Sequence, residues 1–283
     1  MSLPLVVSPD ALNNALRGHF DTRGDQSGAE PPKQVHIVDV RAENVYAEAH
    51  IDGAVRVDPA LLNRAAPPSV GMLPDLATAN AIVRSIGVNP GDWVVAYDTG
   101  GETSAARFIW VMHAYGFDNV SYLDGGLRAW HASGYGLDNG EDEGPDAPGT
   151  VTLELRADNV VAADKLALEL DDPKLRILDV RSAAEFAGTD VRSARGGHVP
   201  GAKHLEWTQH LNANGALLDD AALNKDFTDA GIDKDAKIIV YCQSHQRSAV
   251  SYVALKHLGF NNVRAIDGAW SSWGNRDDVP VEV

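Results

Sequence analysis

The chain has 283 residues, enough for two domains of ~150 residues each. Its 44% hydrophobic and 23% charged content is that of a globular protein, which excludes collagen-like, mucin-like and largely disordered chains. With 24 basic against 40 acidic residues, the net charge of −16 argues against nucleic acid or an anionic membrane as a partner of the general surface. An anionic substrate must instead be captured by a local field. The one cysteine, Cys242, allows neither an intrachain disulfide nor a cysteine-based zinc cluster, so no metal is expected. The start, Met1-Ser2-Leu3-Pro4-Leu5, has neither a basic leader nor an apolar core. Apolar stretches such as 108–112 fall far short of the ~20 residues of a membrane helix, and a cytoplasmic protein is expected.

In chain order, near-continuous apolar runs predict buried parallel strands over 35–40, 93–97 and 120–123. Helical spacing over 76–86 and 103–115 lies between them. The second half repeats the alternation, with strands over 176–180, 237–241 and 263–266 and helices over 220–230 and 247–258. Such alternation implies α/β domains, each a mostly parallel sheet flanked by helices.

The halves also match residue by residue. Val6-Val7 and Asp10-Ala11-Leu12 pair with Val160-Val161 and Asp164-Lys165-Leu166, and Ile37-Val38-Asp39-Val40-Arg41 with Ile177-Leu178-Asp179-Val180-Arg181. His50-Ile51-Asp52-Gly53-Ala54 pairs with His198-Val199-Pro200-Gly201-Ala202, and the strand over 93–97 with that over 237–241. Gly116-Phe117-Asp118-Asn119-Val120 pairs with Gly259-Phe260-Asn261-Asn262-Val263, and Asp124-Gly125-Gly126 with Asp267-Gly268-Ala269. Six blocks in constant order mean a duplication. The acidic, Gly- and Pro-rich stretch 138–149 reads as an exposed linker, which divides the chain into domains 1–144 and 145–283.

Parallel sheets place ligands at the carboxyl ends of their strands. After the strand ending at Tyr241 comes Cys242-Gln243-Ser244-His245-Gln246-Arg247-Ser248, seven residues without an aliphatic side chain, and then a helix. A thiol there faces unpaired N–H groups and the positive end of the helix dipole, which favours the nucleophilic thiolate. The short loop can also curl its N–H groups into an anion-binding nest, to which His245 and Arg247 add donors and charge. The first half reads Asp98-Thr99-Gly100-Gly101-Glu102-Thr103-Ser104 at this place, so Asp98 stands where Cys242 does. A carboxylate can accept hydrogen bonds from the helix start but cannot carry a transferable sulfur. The first domain is therefore expected to be catalytically silent.

The paired Asp-Val-Arg and His-x-x-Gly-Ala motifs, the Cys242 loop and the Asp-Gly-x-x-x-x-Trp endings resemble the tandem-domain rhodaneses, the thiosulfate and 3-mercaptopyruvate sulfurtransferases. The resemblance spans nearly the whole chain. It implies two rhodanese-type domains with only the second active, and a persulfide on Cys242. The loop is most similar to a bacterial type reading Cys-Gln-Thr-His-His-Arg-Ser, which implies thiosulfate as donor, with cyanide or a thiol (a thioredoxin-like protein, for example) as acceptor. No organic cofactor is implied. Gln243, Ser244, His245, Gln246, Arg247 and Ser248 would bind the donor, with Cys242 catalytic. Many relatives carry an arginine six residues after the motif aspartate; here it is Glu185, which weakens the case for mercaptopyruvate. Arg192 and Arg195 are nearby cations that could substitute.

Three alternatives stand beside this reading: a mercaptopyruvate enzyme, a persulfide carrier serving a protein acceptor, and a cysteine-dependent phosphatase. The last needs five residues between Cys and Arg, whereas Cys242 and Arg247 enclose four. The duplicated Asp39-Arg41, Asp179-Arg181, His50 and His198 occur in both halves, including the one without cysteine. They are expected to be structural. Trp207, Trp270 and Trp273 are expected to pack.

Overall fold

The computed structural model describes residues 2–19, 32–156 and 158–283; Met1, with which the expectation about the start of the chain begins, lies outside them. The strands are β1 (Val6–Val7), β2 (Val35–Asp39), β3 (Ala54–Arg56), β4 (Arg64–Ala66), β5 (Ser69–Met72), β6 (Trp93–Tyr97), β7 (Val120–Leu123), β8 (Val160–Val161), β9 (Leu175–Asp179), β10 (Lys203–His204), β11 (Lys237–Tyr241) and β12 (Val263–Ile266). The helices are α1 (Pro9–Leu16), α2 (Glu43–Glu48), α3 (Leu76–Ile86), α4 (Ser104–Ala114), α5 (Gly126–Ala132), α6 (Ala163–Ala167), α7 (Ala183–Phe186), α8 (Asp220–Asp229), α9 (Arg247–His257) and α10 (Ala269–Trp273).

Two parallel sheets repeat one order. The first runs β1-β7-β6-β2-β3, and the second, read from its other edge, β8-β12-β11-β9-β10. Register repeats too: Asp39 lies beside Tyr97 and Asp179 beside Tyr241. The central strands β6 and β11 are buried along almost their whole length, because helices cover both faces of each sheet. This is why their sequences show no alternation. Helices α4 and α9 are similarly enclosed, so both lack a polar stripe. Caps fix where others begin: Asp75 and Asp219 accept the N–H groups of Thr78 and Ala222 at the starts of α3 and α8.

The duplicated polar residues lock strand ends. Arg181 lays Nε on Asp179 at 2.9 Å, donates to the Gly197 carbonyl at 2.7 Å and sits over the Trp270 ring at 4.5 Å. Arg41 does the same with Asp39 and the Ala49 carbonyl, at 2.8 and 2.6 Å. Both pairs are buried, so removing one partner would strand a charge at a cost of about 3–5 kcal/mol. His50 and His198 stack on Tyr46 and Phe186, and each bonds a main-chain carbonyl through Nδ1 at 2.9 Å. The structural reading of all six residues holds. Trp270 and Trp273 are buried in the second core and Trp207 is half-buried.

The compact units differ from the two halves of the sequence. Unit 1 comprises Met1–Leu62, Asp75–Leu155 and Ala213–Leu217; unit 2 comprises Asn63–Pro74, Arg156–Asn212 and Leu218–Val283. The middle segment of unit 1 runs on to Leu155, because the end of the acidic stretch bonds back onto unit 1. Gly149 N–H donates to Arg84 O, Val151 N–H to Val88 O and Leu153 N–H to Asn80 Oδ1. Each unit also takes in a short segment from the other half of the sequence. In unit 2 this is the antiparallel hairpin β4–β5, which the apolar pattern does not announce.

Candidate active site

Cys242 follows β11 directly, at the carboxyl end of the central strand of the second sheet, and is 1% exposed. The N–H groups of Trp270 and Ser271, at the start of α10, donate to the carbonyls of Cys242 and Gln243 at 2.9 and 2.8 Å. These bonds pin the base of the loop. At its far side the chain turns through His245, whose φ of 54° lies in the left-handed region, and then through Gln246 in the right-handed helical region. Such alternation curls successive N–H groups toward one point and builds an anion nest. A non-glycine residue with this φ is strained and needs surrounding structure to hold it. His245 is fully buried, with Nδ1 2.6 Å from the Oγ of equally buried Ser248.

Arg247 opens α9. Its two terminal nitrogens bond Glu185 of α7 at 2.7 and 2.8 Å, a bidentate fork. Glu185 is held in turn by a capping box: it accepts the Ser182 N–H at 3.1 Å and gives its own N–H to the Ser182 hydroxyl at 3.3 Å. Burial alone would raise the Glu185 carboxyl, but Arg247 and Ser182 bring it down to about 2. Burial likewise opposes the Arg247 charge. Glu185 and the neighbouring Cys242 sulfur outweigh it and hold the guanidinium above its ordinary value. Arg247 therefore stands at the sulfur with its charge largely balanced by Glu185.

The other loop side chains are occupied as well. Gln243 Nε2 reaches the Arg192 carbonyl and the Ser193 hydroxyl, both at 3.2 Å, and Gln246 Nε2 donates to Asn63 Oδ1 at 2.6 Å. Ser244, half-buried, lies against Gly71. Among the described residues, no acceptor faces the main-chain N–H groups of Gln243, Ser244 and Gln246. The structure thus brings all seven expected residues into one loop but divides their labour: the side chains build it and the main chain is left to bind. Neither the His245 nor the Arg247 side chain is turned freely to solvent. His245 is sealed from solvent, and Arg247 is committed to Glu185.

The two nearby cations separate. Arg195 donates to the carbonyls of Val279 and Trp273 at 3.0 and 3.2 Å, a structural role. Arg192 is half exposed, pairs with Asp190 at 2.8 Å and lies 3.7 Å from Glu185. In unit 1, Asp98 accepts N–H groups from Gly100 at 2.9 Å and Ala105 at 3.1 Å, as its sequence position suggests. Burial pushes its carboxyl up to about 6 against those two bonds. Among the described residues, no group of three His, Cys, Asp or Glu side chains is arranged to hold a metal, and no helix is long and apolar enough to cross a membrane.

Sequence reasoning missed Glu185 as the partner of Arg247, and missed Asn63 and Gly71. A signal for the last was present. Gly71-Met72-Leu73-Pro74-Asp75 matches Gly215-Ala216-Leu217-Leu218-Asp219, a further repeat block whose aspartates are the caps of α3 and α8.

Comparison with known proteins agrees with this geometry. The rhodanese-like domain profile matches residues 26–133 and 162–276. The chain is 37% identical to a thiosulfate sulfurtransferase of Pseudomonas aeruginosa, over 99% of this chain and 98% of the relative. It is 36% identical to the 3-mercaptopyruvate sulfurtransferase of Escherichia coli K12, over 84% of each. The crystal structure of SseA from Escherichia coli, described in terms of the rhodanese fold and the mechanism of 3-mercaptopyruvate sulfotransferases, superposes with a TM-score of 0.79. The match is 30% identical and covers 95% of this chain and 99% of that one. With two domain matches and relatives aligned along nearly its whole length, the chain belongs to the rhodanese family of sulfurtransferases.

Proposed function

We propose that this enzyme is a thiosulfate sulfurtransferase that carries sulfur on Cys242. The Cys242 thiolate attacks the outer sulfur of thiosulfate, the S–S bond of the donor breaks, and sulfite departs with the electron pair. The remaining Cys242 persulfide is attacked at its outer sulfur by cyanide or a thiol. The acceptor leaves as thiocyanate or a new persulfide, and the thiolate returns. Negative charge gathers at the loop in both steps, where the main-chain N–H groups of Gln243, Ser244 and Gln246 stabilise it without reorganising. The group being moved is held by sulfur itself, so the cycle calls for no metal and no organic cofactor.

The observation that carries the choice of donor is the Arg247–Glu185 fork. It balances, with the Glu185 carboxylate, the guanidinium charge that would otherwise be free to clamp a donor's own carboxylate. Thiosulfate is a compact anion that main-chain donors can hold without a side-chain clamp for a separate carboxylate. A reduced, cytoplasmic setting with a small thiol or a thioredoxin-like protein as acceptor follows from the need to return Cys242 to its thiolate.

The test is intact-protein mass spectrometry of the reduced protein, before and after thiosulfate and then after cyanide. Gain of one sulfur atom, lost to cyanide with release of thiocyanate, is the expected result. No gain with excess thiosulfate and a free thiol would overturn it, and loading by mercaptopyruvate instead would reassign the donor.

A further inference from the structure

The active loop is held from a direction that its own half of the sequence does not supply. Hairpin β4–β5, at residues 64–72, belongs to unit 2 and lies against the loop and α10. Val70 N–H donates to Ser271 Oγ at 2.9 Å, and that hydroxyl donates back to Val70 O at 2.8 Å. Leu73 N–H donates to Asp267 Oδ1 at 2.7 Å. Asn63, just before the hairpin, accepts from Gln246 Nε2. Between these anchors Gly71, at φ 66°, approaches Ser244 so closely that a Cβ placed there would lie 2.2 Å from the Ser244 carbonyl oxygen. A side chain has no room at that point, and the φ independently favours glycine.

We propose that this hairpin is a strap that sets the curvature of the sulfur-transfer loop, with Gly71 and Asn63 as positioning residues. The proposal rests on Cys242 being the sulfur-carrying nucleophile and adds where the precision of its loop comes from. Ser244 sits between Gln243 and the left-handed His245, so its carbonyl orientation is coupled to the N–H groups on either side of it. The strap touches that peptide directly, and through Gln246 it holds the residue that completes the nest. Misplacing a reacting group by about 1 Å costs on the order of 100-fold in rate.

Unit 1 contains the same device on the silent loop, which supplies a control. There Leu217 N–H donates to Asp124 Oδ1 at 2.8 Å, and a Cβ on Gly215, at φ 81°, would lie 2.7 Å from Gly101 N. Gly71→Ala and Gly215→Ala thus both force a Cβ closer than 3.0 Å to a loop backbone at equivalent positions, the former more severely, but only the first meets the loop carrying Cys242.

The experiment compares wild type, Gly71→Ala, Gly215→Ala, Asn63→Ala and Asn63→Asp in the full chain. Each is measured for thermal midpoint, Cys242 alkylation by iodoacetamide, and kcat and KM with thiosulfate and cyanide. Gly71→Ala is expected to lower kcat about 100-fold with a smaller change in KM, while Cys242 remains open to alkylation. Gly215→Ala should lower the midpoint and leave kcat near wild type. Asn63→Ala should lower kcat several-fold, and Asn63→Asp, which keeps the Oδ1 acceptor, should restore it. Should Gly71→Ala fail to fold, the Asn63 pair decides. Equal kcat in wild type, Gly71→Ala and Asn63→Ala would overturn the strap. A wild-type protein that takes no sulfur from thiosulfate would overturn the thiosulfate cycle instead.

Discussion

The loops after β6 and β11 occupy the same place in two copies of one fold and meet the same problem, a helix start with unpaired N–H groups. The first solves it internally: Asp98 supplies the anion, accepting from Gly100 and Ala105. The second, among the described residues, leaves the N–H groups of Gln243, Ser244 and Gln246 open, holds His245 in the left-handed region, and carries a thiol in place of the carboxylate. An unmet donor costs about 1–3 kcal/mol when buried, and a strained residue a similar amount. The first loop is therefore closed by its own buried carboxylate, and the second is left open around a strained turn. In the proposed cycle an anionic donor would supply to the second loop what Asp98 supplies to the first.

The largest test of this contrast is chemical. Cys242→Ser should abolish sulfur loading while the protein stays folded. Adding Asp98→Cys to that variant should restore nothing, because the first loop has neither the Arg247–Glu185 fork nor a His245 turn. Thiocyanate release by the double variant would show that a thiol at a helix start suffices.

Next in size is the fork. Glu185→Gln leaves Arg247 charged beside the sulfur without its balancing partner, and kcat/KM should fall by about 100-fold through displacement of the loop. Because the Glu185 carboxyl is held at about 2, its stabilising contribution is complete above the ordinary carboxylate range and is lost only as pH falls toward 2. The activity ratio of wild type to Glu185→Gln should thus be flat from pH 5 to 8. A ratio that collapsed across that range would remove Glu185 as the clamp.

Asp98 runs the other way. Its folded value of about 6 lies above the ordinary 3.8, so the folded state binds the proton more tightly and stability is lost as pH rises from about 4 to 6. Asp98→Asn cannot ionise. Its thermal stability relative to wild type should rise over that window by up to about 3 kcal/mol and then level off, with turnover unchanged. A constant difference from pH 4 to 8 would mean that Asp98 is not a desolvated carboxylate.

The smallest expected effect is Ser248→Ala, which removes the hydrogen bond to His245 at about 1 kcal/mol and loosens the left-handed turn. Denaturant unfolding, together with kcat, measures both consequences.

The central strands, the duplication and the Cys242 loop were legible because each rests on local signals: apolar runs, matched motifs, and a polar stretch directly after a buried strand. The helix over 76–86 and the strands over 93–97, 120–123, 237–241 and 263–266 agree with the structure to the residue. Less legible was anything decided by partners distant in sequence. Arg247 looked like an anion receptor because its charge was visible and Glu185, 62 positions away, was not visibly its partner. The Asn63 partner of the Gln246 side chain, 183 positions away, was equally out of view. Composition marks where a chain is polar, not where its main chain bonds back onto a core, so the stretch around 145 gave no sign that unit 1 runs on to Leu155.

The exchanged segments bear on how this protein can be taken apart. A cut in the acidic stretch near residue 145 divides the sequence at its visible seam, yet it leaves residues 63–74 on one fragment and the rest of unit 2 on the other, and separates 213–217 from unit 1 in the same stroke. Neither fragment contains a whole unit. Each half of the duplicated chain carries a segment that belongs to the other half's compact unit, so separating the copies at that seam would leave both units incomplete.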